Sequence, residues 1–156
     1  MALNMSLKGK EYDPVTFEVT RERVTSFAEA IGEDRAIFRD AGAAKEAGYA
    51  EQVAPPTFVT AMQMMASGQV VVDPDLGLDY SRVVHGEQSY DWRRLVVVGD
   101  VLTAVPRLAD MYAKGSNEFL VIEASIADAS GETVVVARST LLSRGTATSG
   151  DTREEA

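Results

Sequence analysis

The hydrophobic pattern divides the chain into a helical first half and a second half rich in strands. Apolar residues recur at positions i, i+3, i+4 and i+7 across residues 21–31, which predicts an amphipathic helix capped by Thr20. A second short helix is predicted over residues 40–47, where Gly48 ends it. The first half therefore contains at least two short helices before its most apolar segment.

That most apolar segment covers residues 57–68 and follows Pro55 and Pro56. Nearly all of its residues are apolar or small, and three of them are the methionines Met62, Met64 and Met65. A helix that is apolar on every side is expected to be buried on every side. The pattern therefore predicts a central helix whose methionines belong to the core.

Beyond residue 83 the pattern alternates with a period of two, which is typical of strands. Strands are predicted over residues 84–93, 101–111, 118–128 and 133–143, with glycine-containing turns between them. In the first strand, alternation places Val84 and Gln88 on one face and His85 on the other. The fold class is therefore α+β, with an antiparallel sheet wrapped around the apolar helix.

Length and composition restrict the function of the chain. Its 156 residues are enough for one domain, predicted over residues 1–145, and residues 146–156 are predicted to form a disordered acidic tail. A net charge of −9 argues against a nucleic-acid surface. The sequence shows no signal peptide and no apolar run of roughly 20 residues, so no membrane association and a cytoplasmic location are expected.

The residue types also limit the chemistry. There are no cysteines and only one histidine, His85, which excludes disulfides, thiolate chemistry and a histidine-rich metal site within one chain. No spaced Asp, Asn and Gly loop suggests a carboxylate site for calcium. No metal and no cofactor are therefore expected.

The loop Gly32-Glu33-Asp34-Arg35-Ala36-Ile37-Phe38 has the layout of a catalytic motif. It resembles Gly-Asp-x-Asn-Pro-Ile-His, the pattern of MaoC-like (R)-specific enoyl-thioester hydratases and 3-hydroxyacyl-thioester dehydratases. In that family an aspartate and a histidine hold the reacting water. Here Glu33 stands at the aspartate position and Phe38 at the histidine position, and a phenyl ring cannot transfer a proton.

Two further blocks carry the same resemblance, at residues 54–58 and at residues 84–102. The segment His85-Gly86-Glu87-Gln88 is similar to the N-terminal half of two-domain hydratases and to small actinobacterial dehydratase subunits. In such systems one half carries the Asp/His dyad and the other shapes the acyl tunnel. The resemblance implies a hot-dog fold, in which two sheets commonly join edge to edge and the active site lies between protomers.

The function implied is that of a dehydratase or hydratase subunit in fatty-acyl metabolism, which shapes the acyl tunnel and lacks a complete dyad of its own. Its substrate is then an acyl thioester of CoA or of acyl carrier protein. Its partner is a second copy or a MaoC-like chain that bears the dyad. Two alternatives stay open: a self-sufficient homodimer with a rearranged site, and a non-catalytic module that binds acyl thioesters.

Candidate site residues follow from the loop and from the start of the apolar helix. Catalytic candidates are the acids that remain in the loop and the single imidazole, namely Glu33, Asp34 and His85. Backbone N–H groups at the start of a buried helix stabilise a developing enolate oxygen in this family. The substrate-binding candidates are Pro55, Pro56, Thr57, Phe58, Met62 and Gly86.

Overall fold

The computed structural model describes residues 2–148. Its helices and strands are β1 (Val15–Glu18), α1 (Arg21–Ala30), α2 (Ala41–Glu46), α3 (Val59–Val71), β2 (Val83–Trp92), β3 (Val101–Lys114), β4 (Asn117–Ala127) and β5 (Thr133–Ser143). The strands form one antiparallel sheet in the order β1-β3-β4-β5-β2. In the described range, no helix is long and apolar enough to cross a membrane.

Side-chain caps start the first two helices, at Thr20 as predicted and at Asp40, which the prediction had placed inside the second helix. The Thr20 hydroxyl accepts a hydrogen bond from the Arg23 N–H at 3.3 Å, and α1 starts at the next residue. The Asp40 carboxylate accepts one from the Ala43 N–H at 2.7 Å and starts α2 in the same way. These bonds satisfy N–H groups that have no partner inside the helix.

The core lies between α3 and the concave side of the sheet. Met62 is 1% exposed and packs in one cluster with the apolar side chains of β3, β4 and β5. The main members of that cluster are Phe17, Val24, Phe58, Val59, Met62, Ala66, Leu102, Ile126, Val134 and Val135. The sheet therefore wraps around a central helix, as the hot-dog fold requires.

The prediction that α3 is buried on every side is wrong. Met62 is a core residue, whereas Met64 and Met65 are 67% and 57% exposed. The sheet covers one side of the helix, and the opposite side faces outward in the isolated chain. A uniformly apolar pattern predicts that the helix is buried, but it does not show whether this chain, a ligand or a partner covers it.

The predicted faces of β2 also need a correction, because the strand contains a β-bulge. His85 pairs with Leu141 and Glu87 with Thr140, so Gly86 is one extra residue without a partner on β5. One extra residue shifts the alternation of faces by one position. His85 therefore lies on the same side of the sheet as Gln88, and both line one cavity.

The chain stays packed against the sheet for at least two residues after residue 145. Thr146 is buried, and its hydroxyl donates a hydrogen bond to the Ser143 carbonyl at 3.2 Å. The Ala147 N–H donates to the Ser116 carbonyl at 3.2 Å. The first residues of the predicted tail are thus part of the folded domain, and residues 149–156 lie outside the described residues.

The one-sided burial of α3 can be tested with two methionines of the same helix. Met62→Ala is expected to lower the free energy of unfolding of the isolated chain by about 2–5 kcal/mol, because it leaves a cavity in the core. Met64→Ala removes the same side chain from an exposed position and is expected to change it by at most about 0.5 kcal/mol. Urea denaturation measures both values, and equal losses would contradict one-sided burial.

Candidate functional site

The loop at residues 32–38 uses its acidic groups to bind arginines. Glu33 accepts hydrogen bonds from the Arg35 N–H at 3.0 Å, from its Nε at 2.9 Å and from its Nη2 at 2.6 Å. Asp34, whose side chain is 89% exposed, pairs with Arg39 at 3.2 Å. Both acids that were candidates for a base are therefore engaged with cations of the same loop.

These contacts change the acidity of Glu33. The hydrogen bonds from the Arg35 side chain, and then from its backbone N–H, lower the pKa of Glu33 from 4.5 to about 2. A general base works best when its pKa lies near the working pH. Glu33 is a carboxylate throughout the neutral range, but its pKa makes it a weak acceptor for a substrate proton.

Phe38 serves packing in the loop. It is 4% exposed and lies in a small apolar cluster with Ala28 and Val53. The fully buried Gln52 holds the backbone in place, because its Nε2 donates to the Phe38 carbonyl at 2.8 Å. The Arg35 guanidinium lies over the phenyl ring, 4.8 Å from its centroid. The position where the family has its histidine is therefore closed by apolar contacts.

A cavity of about 330 Å³ lies elsewhere, between α3 and β2. Its volume is within the range of small-molecule sites, which starts at about 300 Å³. Its walls are mainly apolar, and none of the described residues that line it is Asp, Glu, Lys or Arg. The lining residues are Gln63, Met64, Ser67, Gly68, Val71, Val72, Tyr80, Val83, His85, Gln88, Ile122, Ser139 and Leu141. The cavity is therefore suited to an uncharged, largely apolar ligand.

One side of the cavity is polar. Gln63 and Ser67 lie one turn apart on α3, and Gln88 and Ser139 face each other on the neighbouring strands β2 and β5. Gln88 Nε2 donates to Gln63 Oε1 at 2.7 Å. Sequence reasoning missed these four residues. The signal that could have found the first two is a pair of polar residues at i and i+4 in a mostly apolar helix.

The cavity contains one catalytic candidate. His85 lines it, and its Nε2 lies 3.1 Å from the carbonyl oxygen of Glu87. Glu33 and Asp34 are not among the lining residues. The structure therefore does not bring His85 together with the loop acids in this cavity.

The substrate-binding candidates at the start of α3 separate into two groups. Pro55, Phe58 and Met62 are buried in the protein, while Pro56 and Thr57 are exposed where the helix begins. None of the five lines the cavity, which follows the middle and the C-terminal half of α3. Gly86 forms the bulge next to it. In residues 2–148, no group of three or more Asp, Glu or His side chains lies close enough to hold a metal ion.

An antiparallel sheet wrapped around one helix, with a cavity beside that helix, defines the class as a hot-dog protein. Residues 6–137 match the family described as "FAS1-like, dehydratase domain region". This match covers more than half of the chain, so the chain belongs to this family of dehydratase-type hot-dog domains. The resemblance to MaoC-like hydratases and dehydratases is confirmed.

Similar proteins are found among sequences and among solved structures. A UPF0336 protein of Saccharopolyspora erythraea is 47% identical over 148 residues, which are 94% of this chain and 95% of that protein. A chain of the C-terminally truncated HadBC (3R-hydroxyacyl-ACP dehydratase) complex from Mycobacterium tuberculosis superposes with a TM-score of 0.80 at 28% identity. That superposition covers 87% of this chain and 96% of the HadBC chain.

A further structure shows the fold alone. A MaoC-like dehydratase superposes with a TM-score of 0.82 at 23% identity, over 89% of this chain. The match covers 42% of that longer protein. The hot-dog unit described here thus corresponds in length to less than half of that dehydratase.

The hydrogen bonds from Arg35 predict how the carboxyl group of Glu33 titrates. Because the pKa is lowered, the contribution of Glu33 to stability is complete above a pH of about 4.5 and is lost as the pH falls towards about 2. Arg35→Gln is expected to raise the pKa of Glu33 towards 4.5, since the side-chain hydrogen bonds are the largest cause of the shift. Carbon NMR of the glutamate carboxyl groups measures the pKa of Glu33 in the wild type and in Arg35→Gln.

The matched control is Arg138→Gln, which removes a guanidinium that pairs with Glu123 at 2.6 Å. It is expected to leave the titration of Glu33 unchanged. A wild-type Glu33 that titrates near 4.5 would show that the loop does not hold Arg35 in this position.

Proposed function

We propose that this chain is the subunit without a dyad in an (R)-specific 3-hydroxyacyl-thioester dehydratase or enoyl-thioester hydratase of fatty-acyl metabolism. It binds the acyl chain, and a MaoC-like partner that bears the Asp/His dyad carries out the proton transfers. The observation that carries the proposal is the loop at residues 32–38. Its histidine position is the buried Phe38, and its aspartate position is Glu33, which is bound to Arg35.

The reaction sets the demands on the partner. Dehydration removes a proton from C2 and a hydroxyl group from C3 as water, and a C2=C3 double bond forms; hydration is the reverse. A group that moves the proton must reach the reacting water at about 3 Å. Because Phe38 cannot do this, both catalytic side chains have to come from the partner.

The cavity supports the substrate class. Its apolar, uncharged walls between α3 and β2 suit a fatty chain, while the charged CoA or carrier-protein group has no counter-charge there. We place the thioester end near the start of α3, where Pro56 and Thr57 are exposed. Backbone N–H groups at the N-terminal end of a helix stabilise the thioester oxygen on which negative charge develops.

Exposed apolar groups support a partner subunit. Met64, Met65, Val72 and Tyr80 are all more than half exposed, and they lie on α3 or in the segment between α3 and β2. Among the described residues, β2 forms its ladder with β5 alone and leaves its other edge free. Apolar patches and free strand edges of this kind mark interaction surfaces. The similar HadBC structure is named as a complex, which agrees with a heteromer.

Co-expression with a MaoC-like chain that has an intact dyad tests the proposal. This chain alone is expected to show no hydration of a long trans-2-enoyl-CoA, and the complex is expected to hydrate it faster than the partner alone. Replacing the histidine of the partner's dyad with alanine is expected to reduce the rate about 100-fold or more. Loss of the enoyl-thioester absorbance measures each rate.

Variants of this chain separate the alternatives. In the complex, His85→Ala and Glu33→Gln are expected to retain most of the activity, because neither group transfers a proton. If either variant costs as much as loss of the partner's histidine, the self-sufficient site is supported instead. Binding of acyl-CoA without turnover in any combination would favour the non-catalytic module.

A further inference from the structure

Two residues that line the cavity carry buried hydrogen-bond donors without a partner. Gln63 is 2% exposed and Ser67 is 8% exposed, and both line the cavity from α3. Gln88 donates to Gln63 Oε1 and thereby fixes the Gln63 amide with its Nε2 free. In residues 2–148, Gln63 Nε2 and Ser67 Oγ have no hydrogen-bond partner.

Two buried donors without a partner destabilise the fold unless a ligand supplies an acceptor. Buried polar groups in folded proteins are nearly always hydrogen-bonded, because an unpaired one loses its bonds to water and gains nothing. The other buried residues of α3, Val59, Met62, Ala66 and Val70, are all apolar, so packing alone does not require polar side chains at these two positions. The partner of the two donors must therefore enter through the cavity.

We propose that the cavity selects acyl chains that carry a neutral oxygen function, a ketone or a hydroxyl group, part of the way along the chain. The oxygen accepts hydrogen bonds from Gln63 Nε2 and Ser67 Oγ, while the methylene groups lie against Val71, Val72 and Leu141. This inference rests on the proposed function, because it requires the acyl chain to occupy the cavity. It adds a preference that an apolar tunnel would not have.

The chemistry of the lining favours a neutral oxygen. No Lys or Arg is among the described lining residues, so a carboxylate or a phosphate group would enter without a counter-charge. A plain alkyl chain leaves both donors unpaired, whereas an oxygenated chain supplies an acceptor for them. A site built to bind an oxygen in this way discriminates against the analogue that lacks it.

The test compares dodecanoyl-CoA with a series of dodecanoyl-CoA probes that carry one ketone or one hydroxyl group at successive positions along the chain. Calorimetry measures their dissociation constants for the full chain, and for its complex with the dyad-bearing partner. At least one oxygenated probe is expected to bind about fivefold or more tightly than dodecanoyl-CoA, since a net hydrogen bond gives a factor of about that size.

Variants assign the preference to the two donors. Gln63→Leu and Ser67→Ala are each expected to reduce the ratio between the best oxygenated probe and dodecanoyl-CoA towards one. Ser67→Ala is the smaller change and keeps the test available if Gln63→Leu does not fold. The matched control is Gln69→Leu on the same helix, because Gln69 donates to the Asp13 carbonyl at 2.9 Å and does not line the cavity. It is expected to keep the wild-type ratio.

Two results would overturn the inference in different ways. If dodecanoyl-CoA binds as tightly as every oxygenated probe, the preference is refuted and the binding of acyl chains stands. If no probe binds, either to the chain alone or to the complex, the proposed function fails together with the preference. A preference that survives in both Gln63→Leu and Ser67→Ala would show that other groups bind the oxygen.

Discussion

One mismatch governs this structure: α3 is apolar around its whole circumference, and the sheet of one chain covers only one side of it. The covered side forms the core through Met62 and Ala66. The exposed methionines on the uncovered side favour further burial, because removing apolar surface from water lowers the free energy. The cavity, the exposed apolar residues Met64, Met65, Val72 and Tyr80, and the free edge of β2 all belong to this uncovered region. The proposed ligand and partner sites therefore use the surface that the fold leaves uncovered.

The loop at residues 32–38 differs from the family motif at both positions of the catalytic dyad, and its charged groups are paired. Arg35 and Arg39 bind the two acids, and Phe38 fills an apolar gap beneath the loop. Each acid in the loop that could activate water is thus paired with an arginine of the loop or of the residue directly after it. Both acids are paired, and the pKa of Glu33 is lowered by Arg35, whereas a catalytic base depends on a pKa near the working pH. In this chain, the loop is a structural connection between α1 and α2.

The sequence predicted those features that depend on local contacts. The cap at Thr20 involves residues three positions apart, and the strand alternation follows from the pleat. The predicted faces of Val84 and His85 in β2 were wrong relative to Gln88. The bulge at Gly86 that reverses them is defined by pairing with β5, about 55 residues away. The exposure of Met64 and the pairing of Gln63 with Gln88 likewise depend on which side of α3 the sheet covers. Local pattern carries no information about that choice.

The places where local rules fail all border the same cavity. The bulge at Gly86 brings His85 to its wall, exposed Met64 forms part of that wall, and Gln63 and Ser67 place polar groups in an apolar helix. Natural proteins depart from such rules chiefly at functional sites, where binding compensates for the lost stability. The loop at residues 32–38 breaks none of these rules, because its charges are paired and its aromatic ring is buried. These departures are the energetic reason for the proposal that this chain acts between α3 and β2.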